Sequence, residues 1–98
     1  MSVKIAGYTF EGPYFFASSL ENRSGVYAIL CGDSPPPVDV GESATVRNRV
    51  ENHDRKACWK RNCSGTIKYA ALYVRGEQQR KKIEQEIRNR YTVPCGEE

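Results

Sequence analysis

The chain has 98 residues, and 15 lysines and arginines against 12 aspartates and glutamates give it a net charge of +3. A typical domain has about 100 to 200 residues, so we expect a single domain over residues 1–98. No run approaches the roughly 18 apolar residues of a membrane span, and residues 1–10 lack the basic start and long apolar stretch of a secretion signal. These features argue against a membrane protein and predict a cytoplasmic one. The charge alone is too small to establish a nucleic-acid partner.

The first 16 residues predict an N-terminal strand that ends in a turn. Apolar and polar residues alternate in VKIAGYTF, and Gly12–Pro13 interrupts the pattern. Three aromatic residues follow the turn, and we expect them to pack into the core: Tyr14, Phe15 and Phe16.

Two short apolar runs predict a β-hairpin. Gly25–Cys31 is rich in β-formers, and Val38–Gly41 follows three consecutive prolines that cannot donate hydrogen bonds to a sheet. Side chains alternate across a strand. One face of the sheet should therefore carry Val26, Ala28 and Leu30, and the other Tyr27, Ile29 and Cys31.

The segment after the hairpin predicts a helix. Ser43 is a suitable N-cap residue, and Val46 and Val50 stand four positions apart on one buried face. Arg49 and His53 are also four apart, so they share a face beside the apolar stripe. The tyrosine of the first hairpin strand can therefore approach an arginine and a histidine.

A second helix is predicted over Asp54–Cys63. Trp59 is expected to be its buried anchor, and the alternative is a residue that stacks on a nucleic-acid base. Positive charge is concentrated around this helix, and the candidate nucleic-acid-binding residues are Arg47, Lys56, Lys60 and Arg61. Such a basic face suits phosphate contacts, although it is equally typical of a solvated helix.

The four cysteines, Cys31, Cys58, Cys63 and Cys95, permit two disulfides by number. Cytosolic chains keep their thiols reduced, so we expect free cysteines, with Cys31 buried in its strand. The spacing of His53, Cys58 and Cys63 loosely permits a zinc ion. Without a CxxC pair, zinc is not expected.

Two long elements complete the chain. Thr66–Val74 contains a single charged residue and predicts a central strand covered on both faces. Glu77–Tyr91 predicts a polar helix whose apolar stripe is Ile83, Ile87 and Tyr91. The combined pattern predicts an α+β fold with a small, mainly antiparallel central sheet flanked by helices.

Three motifs in this pattern resemble the GIY-YIG nuclease domain family. Gly25-Val26-Tyr27 stands where that family has a G-[IV]-Y strand, and Asp39-Val40-Gly41 stands where it has a Y-[IV]-G strand. Arg49-Val50-Glu51-Asn52-His53 lies on the following helix and matches the family's arginine and histidine. The motif-bearing part covers about residues 24–96. The resemblance implies a GIY-YIG endonuclease-like fold that hydrolyses phosphodiester bonds in DNA with Mg²⁺ or Mn²⁺.

The resemblance also implies a role for each motif residue. Arg49 would clamp the phosphate and stabilise the transition state, and Glu84 would hold the metal ion. Tyr27 would position or deprotonate the attacking water. His53 would orient Tyr27, shuttle its proton or touch the phosphate.

The choice of Glu84 as the metal ligand also has a geometric basis. Glu84 borders the apolar stripe of its helix, whereas Glu86 is expected to face solvent more. The alternative for Glu84 is an ion pair one helical turn away, with Arg80 or Arg88.

Asp39 departs from the family pattern because it replaces the tyrosine of the second motif. A carboxylate would repel phosphate unless a metal ion or Arg49 compensated its charge. Three outcomes are open. Asp39 is a second metal ligand, or it lies outside a site completed by Tyr8, Tyr14 or Tyr69, or it marks a domain that binds without cutting.

Three classes of function follow from these patterns. The first is a metal-dependent endonuclease acting on DNA, with a homodimer or a partner protein supplying target choice. The second is a nucleic-acid-binding module of the same fold that does not cut. The third is a protein-interaction or zinc-stabilised structural domain.

Overall fold

The computed structural model describes residues 1–96, which form an α+β fold with one five-stranded antiparallel sheet and three α-helices. The strands are β1 (Ser2–Ile5), β2 (Tyr8–Tyr14), β3 (Gly25–Cys31), β4 (Asp39–Ser43) and β5 (Ile67–Tyr73). The helices are α1 (Val46–Glu51), α2 (Lys56–Arg61) and α3 (Glu77–Arg90). A short 3₁₀ helix covers Ala17–Ser19.

The strand order across the sheet is β1-β2-β5-β3-β4, and each neighbouring pair is antiparallel. The predicted central strand is confirmed, since β5 lies between β2 and β3. The predicted hairpin is also confirmed, with Tyr27 directly opposite Gly41. β4 is an edge strand, so the residues it carries lie at one border of the sheet.

The two faces of the sheet are covered by different helices. α3 packs its Ile83 and Ile87 on the face that carries Val26, Ala28 and Leu30. α1 and α2 cover the opposite face, where Val46, Val50 and Trp59 contact Tyr27 and Ile29. The alternation expected along β3 and the apolar spacings of α1 and α3 are therefore confirmed, as is the buried position of Trp59.

The N-terminal segment differs from its prediction. It forms a hairpin that turns at Ala6–Gly7, where both residues have positive φ angles, and the Gly12–Pro13 bond lies inside β2. The expectation that the aromatics after it enter the core is wrong for two of them. Phe15 is 62% exposed and Phe16 is 70% exposed. β2 ends at Tyr14, so the chain leaves the sheet before these two rings.

The start of α1 also differs from its prediction. Thr45, not Ser43, precedes the helix, and the Ser43 hydroxyl accepts a hydrogen bond from the Thr45 amide instead. The Asn48 amide in the first turn donates to Asn22 Oδ1 at 2.9 Å. The side chain that satisfies this helix end therefore comes from the segment before β3.

The cysteines are paired, and the expectation of free thiols is wrong. Disulfides join Cys31 to Cys63 and Cys58 to Cys95. Cys31 lies at the exposed end of β3 rather than inside it. Zinc binds thiolates, so these four bonded sulfurs offer no thiolate ligand for the zinc alternative.

No helix within residues 1–96 combines the length and the apolar character that crossing a bilayer requires.

Candidate active site

Tyr27 occupies a pocket that only a glycine leaves open. Its side chain lies across Gly41, the residue opposite it on β4. A Cβ atom at position 41 would overlap the Tyr27 hydroxyl and ring. The glycine of the second motif thus lets the phenol reach toward the edge of the sheet, where it is 2% exposed.

His53 fixes the phenol from the end of α1. The Tyr27 hydroxyl oxygen and His53 Nε2 are 2.7 Å apart, and the other ring nitrogen, Nδ1, accepts the Arg55 backbone N–H at 3.1 Å. A neutral imidazole has one donor and one acceptor nitrogen. The proton therefore resides on Nε2, and His53 donates its hydrogen bond to the Tyr27 oxygen.

The electrostatic surroundings keep His53 neutral. Burial lowers its pKa to about 4, and the charges of Arg49 and Arg55 act in the same direction. At neutral pH the ring is therefore an N–H donor and not a cation.

The phenol of Tyr27 experiences opposing influences. Burial and the charge of Asp39 raise its pKa, whereas Arg49 and Arg55 lower it. The net direction is upward, with burial as the largest cause, so the phenol is neutral at neutral pH.

Arg49 is held loosely enough to bind a ligand. Its Nη2 atom lies 3.2 Å from Asp54 Oδ1, and the Asp54 side chain is 75% exposed. An exposed pair of this kind contributes at most about 1 kcal/mol. The guanidinium can therefore exchange Asp54 for a phosphate at little cost.

Asp39 is fully buried, and both of its carboxylate oxygens accept hydrogen bonds from other protein groups. Its carboxylate accepts the Val40 amide, Nε and Nη2 of Arg55, the Trp59 indole N–H, and Nη2 of Arg88, at distances between 2.8 and 3.2 Å. Two carboxylate oxygens offer about four lone-pair positions. No position is left for a metal ion, and the second-ligand alternative has no support in this geometry.

Asp39 also supports the tyrosine and histidine indirectly. The indole that it holds packs against the His53 ring, with centroids 4.9 Å apart. A chain of contacts therefore runs from Asp39 through Trp59 and His53 to Tyr27.

Glu84 lies on α3, which covers the other face of the sheet. Its carboxylate is 3.3 Å from Arg88 Nε, so the ion pair considered from the sequence is formed with Arg88 and not Arg80. Burial raises the Glu84 pKa, Glu42 acts in the same direction, and Arg88 opposes them. Glu86 is half-buried rather than freely exposed, and it accepts a hydrogen bond from Tyr8.

Glu84 is the one metal ligand expected from the sequence, and its carboxylate is paired with Arg88. Mg²⁺ commonly uses one or two protein carboxylates and retains several waters. Within residues 1–96 no group of three His, Cys, Asp or Glu side chains comes together. Glu84, partly desolvated and shared with one arginine, is the residue that would hold Mg²⁺ or Mn²⁺.

The two halves of the candidate site meet through Arg88. Its Nε donates to Glu84, and its Nη2 donates to Asp39 and to the Val40 carbonyl. Tyr27, Arg49 and His53 lie together on the α1 face. Glu84 lies on the α3 side of the sheet, and two consecutive hydrogen bonds through Arg88 connect it to Asp39 and not directly to those three residues.

The predicted nucleic-acid-binding residues lie on the two short helices α1 and α2. Lys56, Lys60 and Arg61 on α2 are exposed, and Arg47 on α1 is half-buried. Lys56 also donates to the Glu51 carbonyl.

Sequence reasoning considered Arg88 only as a partner of Glu84, and it missed the contacts of Arg55 and Arg88 with Asp39. Neither belongs to a motif. The available signal was Asp39 itself, because a carboxylate between two valines of a short apolar strand requires buried positive partners.

No family model, no curated protein and no solved structure matched this chain in the three comparisons made.

Proposed function

We propose that this protein is a divalent-metal-dependent endonuclease of the GIY-YIG type that hydrolyses phosphodiester bonds in DNA. The observation that carries the proposal is the buried Tyr27–His53 hydrogen bond with the Arg49 guanidinium close enough to shift both pKa values. A buried phenol that accepts an N–H and faces a loosely held arginine suits a site where negative charge develops.

Each candidate residue has a different role in the proposed reaction. The Tyr27 hydroxyl positions the attacking water; to take its proton as a base, it would need the bound metal ion and the arginines to overcome its raised pKa. Arg49 leaves Asp54 and donates two parallel hydrogen bonds to the phosphate as its charge grows. Glu84 supplies the carboxylate for the metal ion. When bound, the ion neutralises phosphate charge and lowers the pKa of its water.

The topology gives further support. Tyr27 lies on β3, Gly41 on β4, Arg49 on α1 and Glu84 on the later helix α3, which is the order of strand, strand, helix and later helix that the resemblance implies.

The test is cleavage of plasmid and branched DNA in Mg²⁺ or Mn²⁺ by the wild type and three variants. Glu84→Gln and Arg49→Gln should each lower the rate by about 10²-fold or more, because each removes a group that stabilises the transition state. Glu86→Gln is the matched control, since it changes the same residue type on the same helix. Equal rates for the wild type and Glu84→Gln would refute the proposal.

A second candidate is a module that binds nucleic acid without cutting. It is favoured by Asp39, which puts a buried, fully hydrogen-bonded carboxylate where the second motif has a phenol. DNA binding that survives EDTA and Glu84→Gln, with no product from the wild type, would support this candidate. A protein-interaction domain would show neither binding nor cleavage.

The compartment and the assembly state belong to the same set of proposals. The sequence predicts a cytoplasmic protein, but paired cysteines are typical of oxidising compartments. Thiol alkylation of protein in freshly lysed cells, followed by mass spectrometry, distinguishes a reducing from an oxidising compartment.

A homodimer or a partner protein would supply target choice, and light scattering with and without DNA tests the dimer.

A further inference from the structure

Arg55 is one of the two arginines that donate hydrogen bonds to the buried carboxylate of Asp39. It precedes α2, and its Nε and Nη2 atoms donate to the two oxygens of Asp39 at 2.9 and 3.2 Å. This is the two-point contact that fixes a guanidinium in one orientation. The Arg55 side chain nevertheless keeps 29% of its surface exposed.

Arg55 and Arg88 share the same carboxylate but are used differently. Every nitrogen of the Arg88 guanidinium donates to a protein acceptor: Glu84, Cys95, Asp39 or Val40. Among residues 1–96, Arg55 Nη1 has no such acceptor. Arg88 is therefore a structural cross-link, whereas Arg55 keeps a donor available.

The field of Arg55 covers both halves of the candidate site. It lowers the pKa of Tyr27 and His53 on the α1 face, and also that of Glu84 on the α3 side. Arg49 lowers the pKa of Tyr27 and His53. The Arg55 guanidinium is bonded to Asp39 of the edge strand β4, and its exposed part can meet a phosphate at that edge.

We propose that Arg55 is a second phosphate-binding arginine and that Asp39 is its positioning residue. The ligand group is a phosphodiester oxygen of a nucleic-acid strand, so the inference rests on the proposed function. In this arrangement the aspartate does not replace the phenol's contact with the substrate. It holds an arginine that makes a contact of its own, through the nitrogen that Asp39 leaves unused.

The expected signature is a change in the salt dependence of DNA binding. Each phosphate neutralised contributes about 0.9 to the slope of log K against log salt for duplex DNA. Arg55→Gln should reduce that slope by about one and should lower cleavage by about 10²-fold. Arg90→Gln, the same change of charge at an exposed site in the last turn of α3, should leave both unchanged.

A second variant guards against loss of folding. Arg55→Lys keeps a positive charge beside Asp39, but its single ammonium group cannot donate to both carboxylate oxygens and to a phosphate. It should therefore show the same reduced slope. Thermal unfolding of each variant confirms that the proteins compared are folded.

The outcomes separate this inference from the proposed function. If Glu84→Gln abolishes cleavage while folded Arg55→Gln and Arg55→Lys bind and cut like the wild type, the inference fails and the nuclease stands. If Glu84→Gln cuts like the wild type, the nuclease proposal fails, and the salt slope still decides the role of Arg55. A wild type that does not bind DNA overturns both.

Discussion

Asp39 is a buried carboxylate whose hydrogen bonds all go to other residues of the protein. It lies opposite Ile29 in the hairpin, with its side chain on the Tyr27 face, yet its carboxylate faces two arginines and an indole rather than solvent. A buried charge is tolerated when it is paired and fully hydrogen-bonded. The same contacts make the residue hard to replace.

Asp39→Asn should destabilise the protein by roughly 3 to 5 kcal/mol, because it leaves Arg55 and Arg88 without their shared counter-charge in a buried site. Urea unfolding measures the loss. Asp33→Asn, which removes an exposed partner of Lys68, is the control and should cost at most about 1 kcal/mol. A loss below that level for Asp39→Asn would contradict the structural role.

His53 should make stability depend on pH in a defined window. Its pKa is about 4 in the folded protein against 6.5 for the free side chain, so between these values the unfolded chain binds a proton that the native state does not. This contribution is complete above pH 6.5 and is lost as the pH falls toward 4, by up to about 3 kcal/mol.

NMR titration of the single histidine of this chain measures the folded pKa directly. His53→Gln should remove this component from the pH dependence of unfolding and leave that of the carboxylates. A native titration midpoint between pH 6 and 7 would contradict the buried, neutral imidazole.

At the scale of elements, the site depends on how closely β4 approaches the Tyr27 ring. Gly41→Ala should push the phenol away from His53, with a loss of roughly 1 to 3 kcal/mol from overpacking and a large loss of cleavage. Gly65→Ala is the matched control, because its Cβ atom would meet only Cys31 Sγ at 3.8 Å. Unchanged cleavage in Gly41→Ala would show that the phenol's position is not required.

The elements best predicted from the sequence are those whose pattern is local. A run of β-formers bounded by glycines located β3, and four-residue spacing located the buried faces of α1 and α3. The N-terminal turn was misplaced because Ala6–Gly7 lacks the asparagine or aspartate typical of such turns, whereas Gly12–Pro13 has a strong turn composition.

The residues of the candidate site also differ in whether the sequence could predict that they lie together. Tyr27, Arg49 and His53 could be grouped because each lies in a segment whose strand or helix pattern, and whose motif resemblance, could be recognised in the sequence. The contacts of Arg55 and Arg88 with Asp39 could not be predicted, since no motif or spacing rule connects these residues.

At the scale of the whole molecule, two disulfides close loops with sequence separations of 32 and 37 residues. The number of cysteines permitted this pairing, but only the three-dimensional approach of β3 to the α2–β5 turn and of α2 to the C-terminal segment selects it. In the chain-entropy model each cross-link stabilises the fold by about 4 kcal/mol.

Replacing either cysteine pair by serine should lower the free energy of unfolding by roughly 2 to 5 kcal/mol. Loss of Cys58–Cys95 should also reduce cleavage, because Cys95 adjoins Gly96, which packs against Arg55 and Arg88. Loss of Cys31–Cys63 should affect stability alone. Urea unfolding and the plasmid assay provide both readouts, and equal effects of the two pairs on cleavage would contradict this assignment.

The central place of β5 has a consequence for how the chain is made. This strand joins the β1-β2 hairpin to the β3-β4 hairpin, yet it is the last of the five to leave the ribosome. Until it emerges, β2 and β3 each present an unpaired edge that can bind another nascent chain. The risk of misassembly is therefore greatest between the synthesis of β4 and that of β5. The sheet is completed only when β5 pairs with both β2 and β3.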